Sequence, residues 1–407
     1  MNNKITQLIP DLRFPEFVDD APWKQKELGE FLDYIQPTNY LVNSTSYDDS
    51  YETPVLTAGK TFILGYTDET TGIFAENLPI IIFDDFTTAV QYVDFPFKAK
   101  SSAMKILLPK GDASIKFFYE SIQNINYISG AHQRHWISIF SKIKVPVPKN
   151  YLEQQKIASC LSSLDELITA QKEKLELLKN HKKGLMQNLF PQEGETVPKF
   201  RFPEFENDGE WELKKLGELA DISKLAGYEF TKHIKYELKG SIIALRGLNI
   251  KNNTLDLNEV KYIDNSELPM LTRSKLYIDD LMFTYIGTIG EVALIEENDR
   301  FYLAPNVSRI RADKKKITPK FLLQYFNIPQ FKNIEITKFI SSSSQPALTM
   351  GNVRLFSLVI PKMGEQQKIA SCLSSLDELI SLQTNKIEKL QLHKKGLMQG
   401  LFPKSID

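Results

Sequence analysis

The feature that most constrains this chain is an internal repeat. The segment EQQKIASCLSSLDELI, Glu153 to Ile168, recurs without a change at Glu365 to Ile380, and both copies continue into HKKGLMQ and end in LFP. A second repeated motif, FPEF followed by a tryptophan and LGE, begins at Phe14 and again at Phe202. Between these landmarks the two halves look unrelated. The pattern therefore predicts one fixed frame that holds two different inserts.

Each copy of the long repeat has the heptad pattern of a coiled coil. Apolar positions alternate in steps of four and three residues, and such a helix would be on the order of 50 Å long at 1.5 Å per residue. Pro191 and Pro403 would end the helices because proline cannot continue one. A seam this narrow needs a partner helix, and the other copy is the obvious one. The predicted seam positions are Ile157, Leu161, Leu164, Ile168, Gln171, Leu175 and Leu178 with Ile369, Leu373, Leu376, Ile380, Gln383, Ile387 and Leu390.

Polar residues interrupt both seams at matching places. Gln171 matches Gln383, and Lys182 matches Lys394 eleven residues further along the pattern. Polar seam residues cost stability but fix the register of a coil, which is the role predicted for the glutamines. For the lysines two alternatives stay open: a place in the seam, or a side chain that reaches water from a frayed helix end.

The sense of the helix pairing decides where the inserts lie. A parallel pair would place Cys160 beside Cys372 and both inserts at one end, whereas an antiparallel pair would separate them. A repeated unit closes naturally about a two-fold axis, so we predict the antiparallel form. The expected fold is α+β: two β-rich domains separated by a long antiparallel two-helix coiled coil, with a pseudo-two-fold internal repeat. The predicted boundaries are 1–152 for the first β-rich domain, 153–191 for the first helix, 192–364 for the second domain and 365–407 for the second helix.

The inserts contain short apolar runs that are typical of strands. Ile80 to Phe83 and Met104 to Leu108 are such runs in the first insert, and Leu281 to Ile286 is one in the second. Thr318 before Pro319 predicts a helix start, with threonine as the cap and proline at the first helical position. Gly287 to Gly290 follows a strand and is predicted to be a tight turn rather than a nucleotide loop.

Composition narrows the function classes. With 407 residues, a formal charge of −1 and 42% apolar residues, the chain is large enough for several cores and is no uniformly basic nucleic-acid binder. Its two cysteines occupy the same repeat position, so they form no disulfide framework and favour a reducing cytoplasm. No apolar run approaches the length of a membrane span, no signal peptide is evident, and no metal site is expected.

Several motifs resemble those of one family, the specificity subunits of type I restriction-modification systems. They are the duplicated helix after a proline-rich strand, the W-x4-LGE openings, YIGTIG from Tyr285, LAPN from Leu303 and SSSQP from Ser342. The resemblance covers essentially the whole chain. The first insert differs from the second in character, which the family leads one to expect because each insert would read a different half-site.

The resemblance implies a DNA-binding, non-catalytic subunit. Each β-rich region would be a target-recognition domain for one half of a bipartite DNA sequence. The coiled coil would set the spacing between the two half-sites and dock methyltransferase subunits. Two such subunits are expected. Restriction subunits would complete the complex in the cytoplasm. S-adenosylmethionine, ATP and Mg are implied for these partners, and this chain would bind no cofactor. The alternative is a coiled-coil assembly protein whose variable domains bind protein partners.

Candidate DNA contacts are polar or basic residues in predicted loops. Arginine and glutamine suit bidentate contacts to guanine and adenine, and phosphate contacts should outnumber base contacts. Arg309 and Arg311 alternate on a predicted strand and would share one face. The three tryptophans are predicted to pack in the core, and Asp84-Asp85 to form a turn or to accept a hydrogen bond from a cytosine amine. The full candidate set is Lys60, Lys98, Lys100, Ser101, Ser102, His132, Gln133, Arg134, His135, Arg246, Thr288, Asn306, Arg309, Arg311, Ser342, Ser343, Ser344 and Gln345.

Overall fold

The chain folds into two compact units that each combine one insert with parts of both repeated helices. A computed structural model describes residues 7–59, 61–125, 127, 135–340 and 346–404. The first unit is Met1–Glu173 with Asn385–Asp407, and the second is Lys174–Thr384. The units therefore divide within each long helix, whereas the sequence-based boundaries were placed where each helix begins.

The first unit contains nine strands among its described residues. Its sheets have the orders β2-β8-β5-β6 and β4-β3-β7, and a two-stranded ribbon joins β1 to β9. The strands are β1 Lys24–Glu27, β2 Leu32–Ile35, β3 Thr53–Leu56, β4 Ile63–Thr67, β5 Ile80–Asp84, β6 Val90–Val93, β7 Lys98–Ala99, β8 Met104–Pro109 and β9 Lys144–Val147. The helices are α1 Leu28–Phe31, α2 Ile115–Gln123, α3 His135–Ser138 and the long α4 Tyr151–Leu189.

The second unit repeats this plan with a different sequence. Its sheets have the orders β11-β19-β16-β17 and β15-β12-β18, and a ribbon joins β10 to β20. The strands are β10 Glu212–Lys215, β11 Ala220–Lys224, β12 Ile243–Leu245, β13 Ile250–Lys251, β14 Thr254–Leu255, β15 Lys261–Tyr262, β16 Leu281–Thr284, β17 Val292–Leu294, β18 Phe301–Leu303, β19 Val307–Ala312 and β20 Ser357–Ile360. The helices are α5 Leu216–Leu219, α6 Gly227–His233, α7 Pro319–Tyr325, α8 Met350–Arg354 and the long α9 Met363–Leu401.

The strand registers show that the two inserts share one topology. In each four-stranded sheet the strand after the LGE motif pairs with the last strand but one of its unit: Leu32 faces Pro109, and Ala220 faces Ala312. In each three-stranded sheet one pair is parallel, β3 with β7 and β12 with β18, and the second pair is antiparallel. Two inserts without visible sequence similarity thus occupy one frame, as the repeat predicted, and the α+β class is confirmed.

The predicted secondary structure of the inserts is largely confirmed. The runs beginning at Ile80, Met104 and Leu281 are β5, β8 and β16. Thr318 caps α7, because its hydroxyl accepts a hydrogen bond from the Phe321 N–H at 3.2 Å, and Pro319 is the first helical residue. The three tryptophans are all buried in the cores, as predicted.

The long helices pair antiparallel within each unit. In the first unit Ile157 and Leu161, near the start of α4, lie in the same core as Leu401, at the end of α9. In the second unit Leu189, at the end of α4, shares a core with Ile369 and Leu373, near the start of α9. All the predicted seam residues are buried or half-buried.

The repeated lysines form ion pairs between the two helices. Lys394 of α9 lies 2.7 Å from Asp165 of α4 in the first unit, and Lys182 of α4 lies 2.6 Å from Asp377 of α9 in the second. Burial raises the pKa of Asp165, but hydrogen bonds from Lys116 and Lys394 outweigh it and leave the pKa below its usual value. The lysines therefore hold seam positions, and the alternative of frayed helix ends is excluded.

The exactly repeated segment also anchors each insert to the helices. Glu153 accepts two hydrogen bonds of 2.8 Å from the Arg13 guanidinium, and Glu365 accepts two from Arg201 at 2.8 and 2.7 Å. One residue further along, Gln366 Oε1 accepts a 3.0 Å hydrogen bond from the backbone N–H of Thr318 at the start of α7. These contacts explain why Glu153, Glu365 and Gln366 belong to the part of the repeat that is identical in both copies.

Candidate nucleic-acid interface

The loops of the second unit surround a pocket that brings three predicted DNA contacts together. Arg246, Thr288 and Asn306 come from three different loops, yet all of them line this pocket, which has a volume of about 720 Å³. Aromatic and polar side chains complete the lining, among them Phe230, Tyr236, Lys251, Asn252 and Glu291. A wall that combines a guanidinium, amides and aromatic rings suits hydrogen bonding and stacking with nucleobases.

The backbone fixes the direction of each of these three residues. Arg246 follows β12, and its Nη2 donates a 2.9 Å hydrogen bond to the carbonyl oxygen of Glu259. Its Nε–H is buried and has no hydrogen-bond partner within the described part of the chain. Asn306 is exposed at the corner between β18 and β19, and its backbone has a left-handed conformation with φ of 72°.

Thr288 lies in the turn between β16 and β17. Gly287 and Gly290 have φ of 80° and 94°, values that favour glycine, so the predicted tight turn is confirmed. The hydroxyl of Thr284 closes the turn by donating to the Thr288 carbonyl oxygen and accepting from the Glu291 N–H. Thr288 itself is exposed at the pocket wall.

Two predicted contacts of the second unit form ion pairs with carboxylates. Arg309 and Arg311 do share one face of β19, but Arg309 is buried and pairs with Asp221. Arg311 forms a bidentate ion pair with Asp280, with both distances 2.7 Å. Burial and the neighbouring Arg311 charge lower the pKa of Arg309, whereas the hydrogen bond to Asp280 raises the pKa of Arg311. Burial corrects the prediction of Arg309 as a DNA contact, whereas the side chain of Arg311 is 40% exposed and stays a candidate.

In the first unit Lys100, Ser101 and Ser102 form an accessible loop between β7 and β8. Both serines are exposed, and the Lys100 ammonium lies 5.6 Å from the centre of the Tyr47 ring. The Ser101 hydroxyl accepts a hydrogen bond from the Ala103 N–H at 3.1 Å, which shapes the loop. These three residues stay candidates for DNA contact.

Lys98 and His135 are buried, which corrects their prediction as DNA contacts. The Lys98 ammonium lies 2.6 Å from Glu69 and donates to the Thr71 carbonyl oxygen at 2.7 Å. The Nδ1 atom of His135 lies 2.8 Å from the carbonyl oxygen of Asp85. Both polar groups are thus used inside the fold. The remaining candidates lie outside the described residues: Lys60, His132, Gln133, Arg134, Ser342, Ser343, Ser344 and Gln345.

Strand register makes the accessible loops of the two units equivalent. Met104 and Val307 hold the same place at the start of β8 and β19, so the Lys100–Ala103 loop corresponds to the corner that contains Asn306. The turn between β5 and β6 likewise corresponds to the turn that contains Thr288. The sequence-based candidates that are accessible therefore fall in matching loops of two dissimilar inserts.

Sequence reasoning missed the hairpin formed by β13 and β14. Asn252 and Asn253 at its tip have φ of 51° and 66°, the conformation of a type I′ turn. Lys251 and Asn252 line the pocket beside Arg246. Two adjacent asparagines between short runs of β-forming residues are a hairpin signal, and this signal could have found the site.

The match to a family model is the observation that decides where this chain belongs. Residues 21–180 and 208–392 both match the type I restriction modification DNA specificity domain. The chain belongs to that family of specificity subunits. The specificity subunit of the Escherichia coli type I restriction enzyme EcoR124I/EcoR124II is 30% identical to it over 385 residues, which are 90% of each chain. A Methanocaldococcus jannaschii type I specificity subunit, MjaVIII, is 27% identical over 65% of this chain and 62% of its own.

Solved structures of specificity subunits have a similar fold. The type I S subunit of M. genitalium superposes with a TM-score of 0.65 at 14% identity, covering 98% of this chain and all of its own. Within the described residues no helix is long and apolar enough to cross a membrane. No cluster of three or more potential metal ligands occurs in that same part of the specificity subunit.

Proposed function

We propose that this specificity subunit reads a bipartite duplex DNA sequence, with one half-site bound by each β-rich domain. The observation that supports this most strongly is the matching of loops. Equivalent loops of the two units present different side chains: Lys100, Ser101 and Ser102 in one, Asn306 in the other. One docking geometry combined with two sets of side chains is what reading two unlike half-sites requires.

The chain would contribute recognition and leave the chemistry to its partners. Two methyltransferase subunits would bind along the repeated helices and use S-adenosylmethionine. Restriction subunits would use ATP and Mg. The helices offer repeated outer faces for such docking, because Leu167 and its repeat equivalent Leu379 are both about half exposed, at 42% and 49%. Two equivalent faces suit two copies of one partner.

The proposal is tested with the complex reconstituted from this chain and its methyltransferase partners. Methylome sequencing of a host that expresses the complex should reveal one bipartite motif that is absent when the specificity gene is deleted. Binding to a duplex carrying that motif should weaken steeply with salt, by roughly 0.9 log units per phosphate contact for each log unit of salt.

Two outcomes would contradict the proposal. The first is an unchanged methylome together with salt-independent association. The second is binding of the β-rich domains to a protein partner with no measurable affinity for duplex DNA, which is the result expected of a coiled-coil assembly protein.

A further inference from the structure

An exposed aromatic ring stands at the tip of the turn between β5 and β6 in the first unit. The Phe86 side chain is 43% exposed, although phenylalanine is usually buried. The strand before it, Ile80 to Phe83, is completely buried. The exposed ring therefore lies just outside the core, and packing within the unit does not explain why a phenylalanine stands there.

The turn that presents Phe86 is held firmly. The Asp84 carboxylate accepts hydrogen bonds from the backbone N–H groups of Phe86 and Thr87 at 2.9 and 2.7 Å. Next to it, the buried Asp85 carboxylate pairs with Lys105 at 3.1 Å and accepts a hydrogen bond of 2.9 Å from the backbone N–H of Trp136. The ring is thus carried on a fixed support, which lowers the entropy cost of inserting it into a partner.

The same turn is joined to the loop of candidate DNA contacts. The Asp85 N–H donates a 3.0 Å hydrogen bond to the carbonyl oxygen of Ala103, directly after Ser101 and Ser102. Phe86 consequently lies on the loop side of the unit that presents polar residues. An exposed aromatic ring cannot hydrogen-bond to phosphate, but it can stack on the flat faces of bases.

The second unit shows what the equivalent position does. Asp84 and Thr284 hold the same register position, opposite Met104 and Val307, and both close the turn that follows them. In the second unit that turn exposes Thr288 on the pocket wall. Counted from Asp84 and Thr284, Phe86 corresponds to Ile286, which is half-buried. The first unit therefore exposes an aromatic ring on this turn, whereas the second exposes Thr288 on a longer one.

We infer that Phe86 inserts as a wedge into the base stack of the half-site bound by the first unit. This inference rests on the proposed function, because it assigns a role to one residue of the proposed DNA surface. Unstacking one base step would bend or open the first half-site. The two half-sites would then be treated differently, one deformed by Phe86 and the other read by hydrogen bonds near Thr288.

The test compares intact and pre-opened DNA with the reconstituted complex. Phe86→Ala should weaken binding to the intact motif by roughly ten- to hundredfold. A set of duplexes with one abasic site or mismatch, scanned through the first half-site, should contain a member that restores near-native affinity, since that duplex is already unstacked. Phe86→Leu should lie between wild type and Phe86→Ala.

Matched controls separate the wedge from other roles. Phe200→Ala removes another exposed ring, which lies outside both inserts, and should leave binding unchanged. In the wild-type complex, 2-aminopurine at the inserted step should brighten on binding, and this signal should be absent with Phe86→Ala. A far-UV circular dichroism spectrum and a melting curve check that each variant is folded.

The possible outcomes are distinguishable. If the wild-type complex fails to bind its motif, the proposed function itself falls. If wild type binds and Phe86→Ala binds equally well, only the wedge is overturned. An affinity loss that no opened duplex restores also overturns it, and if uracil in place of thymine reproduces that loss, Phe86 contacts a thymine methyl group instead.

Discussion

At the scale of single residues, Arg246 is a guanidinium held in a fixed position on the pocket wall. Its Nη2 donates a hydrogen bond to the Glu259 carbonyl oxygen, which limits the directions that the side chain can take. The terminal nitrogens of an arginine can offer paired donors to a guanine edge.

Arg246→Ala should therefore relax the second half-site and leave the first one unchanged. Losing one bidentate base contact should cost about 1–3 kcal/mol of binding free energy and broaden the methylated motif at one position. Methylome sequencing and titration with variant duplexes measure both effects. Arg300→Ala is the matched control, since Arg300 pairs with Glu297 and does not line the pocket. Equal losses for both half-sites would contradict the assignment.

Glu69 illustrates a charge that stabilises the fold. The Lys98 ammonium, 2.6 Å away, and the N–H groups of Ser44 and Asn43 lower its pKa from the ordinary 4.5 to about 2. Because this pKa is lowered by folding, the stabilisation is complete above about pH 4.5 and is lost as the pH falls towards 2.

Glu69→Gln should consequently remove part of the acid sensitivity of the first unit. The hydrogen-exchange protection factors of β3 and β7, measured on the full chain between pH 3 and pH 7, should fall more steeply with acid in the wild type than in the variant. Glu30→Gln, at an exposed pair with Lys26, is the control and should change little. If protection depends on acid in Glu69→Gln as steeply as in the wild type, this account is refuted.

Residue type alone separated accessible candidates from buried ones only in part. Lys100, Ser101, Arg246, Thr288 and Asn306 are exposed or half-buried, so they stay candidates for DNA contact. Lys98 and Arg309 were misassigned because distant carboxylates, Glu69 and Asp221, pair with them inside the fold. Such partners are separated by long stretches of chain, so only the folded structure reveals them.

At the scale of elements, the paired helices are held by reciprocal charges. Lys182 of α4 contacts Asp377 of α9, and the Asp377 carboxylate also accepts a 2.8 Å hydrogen bond from the Gln324 side chain of α7. This one carboxylate therefore joins three helices of the second unit.

Reversing one charge of this pair should destabilise the second unit, and reversing both should recover part of the loss. Lys182→Asp places two carboxylates together and should cost about 1–2 kcal/mol of unfolding free energy, since the pair is only partly buried. The double variant Lys182→Asp with Asp377→Lys should regain much of it, as urea unfolding measures. Lys179→Ala, at an exposed pair with Glu176, is the control. No recovery in the double variant would contradict a direct ion pair.

The elements themselves could be predicted far better than their arrangement. Heptads and proline stops placed α4 and α9 within a few residues, since a long periodic pattern leaves little freedom. The common sheet order of the two inserts was not visible, because strand pairing depends on backbone hydrogen bonds that many apolar sequences satisfy equally well. The hairpin of β13 and β14 was missed because each of its strands has only two residues.

At the scale of the whole molecule, the coiled coil is expected to set the distance between half-sites. Inserting one heptad into α4 after Lys172 and its equivalent into α9 after Thr384 keeps the seam in phase. It adds about 10 Å at 1.5 Å per residue, which is about three base pairs of duplex at roughly 3.4 Å each.

The doubly extended chain should methylate the same two half-sites with a spacer about three base pairs longer, as methylome sequencing would show. In a chain with the heptad in α4 alone the two helices pair out of register, and its complex should no longer methylate the motif. Altered half-site sequences in the doubly extended chain would show that the helices influence recognition and do more than set spacing.

The anchoring contacts of α2 and α7 define what any recognition domain must supply in order to fit this frame. Each of these helices begins at a hydroxyl cap, Ser114 or Thr318, whose N–H meets a glutamine of the repeat. Six positions later each presents a polar side chain, Glu120 or Gln324, to the charged pair of the long helices. A foreign domain that satisfies these few contacts could be exchanged for either insert, so new DNA specificities could arise by replacing one domain while the rest of the subunit stays unchanged.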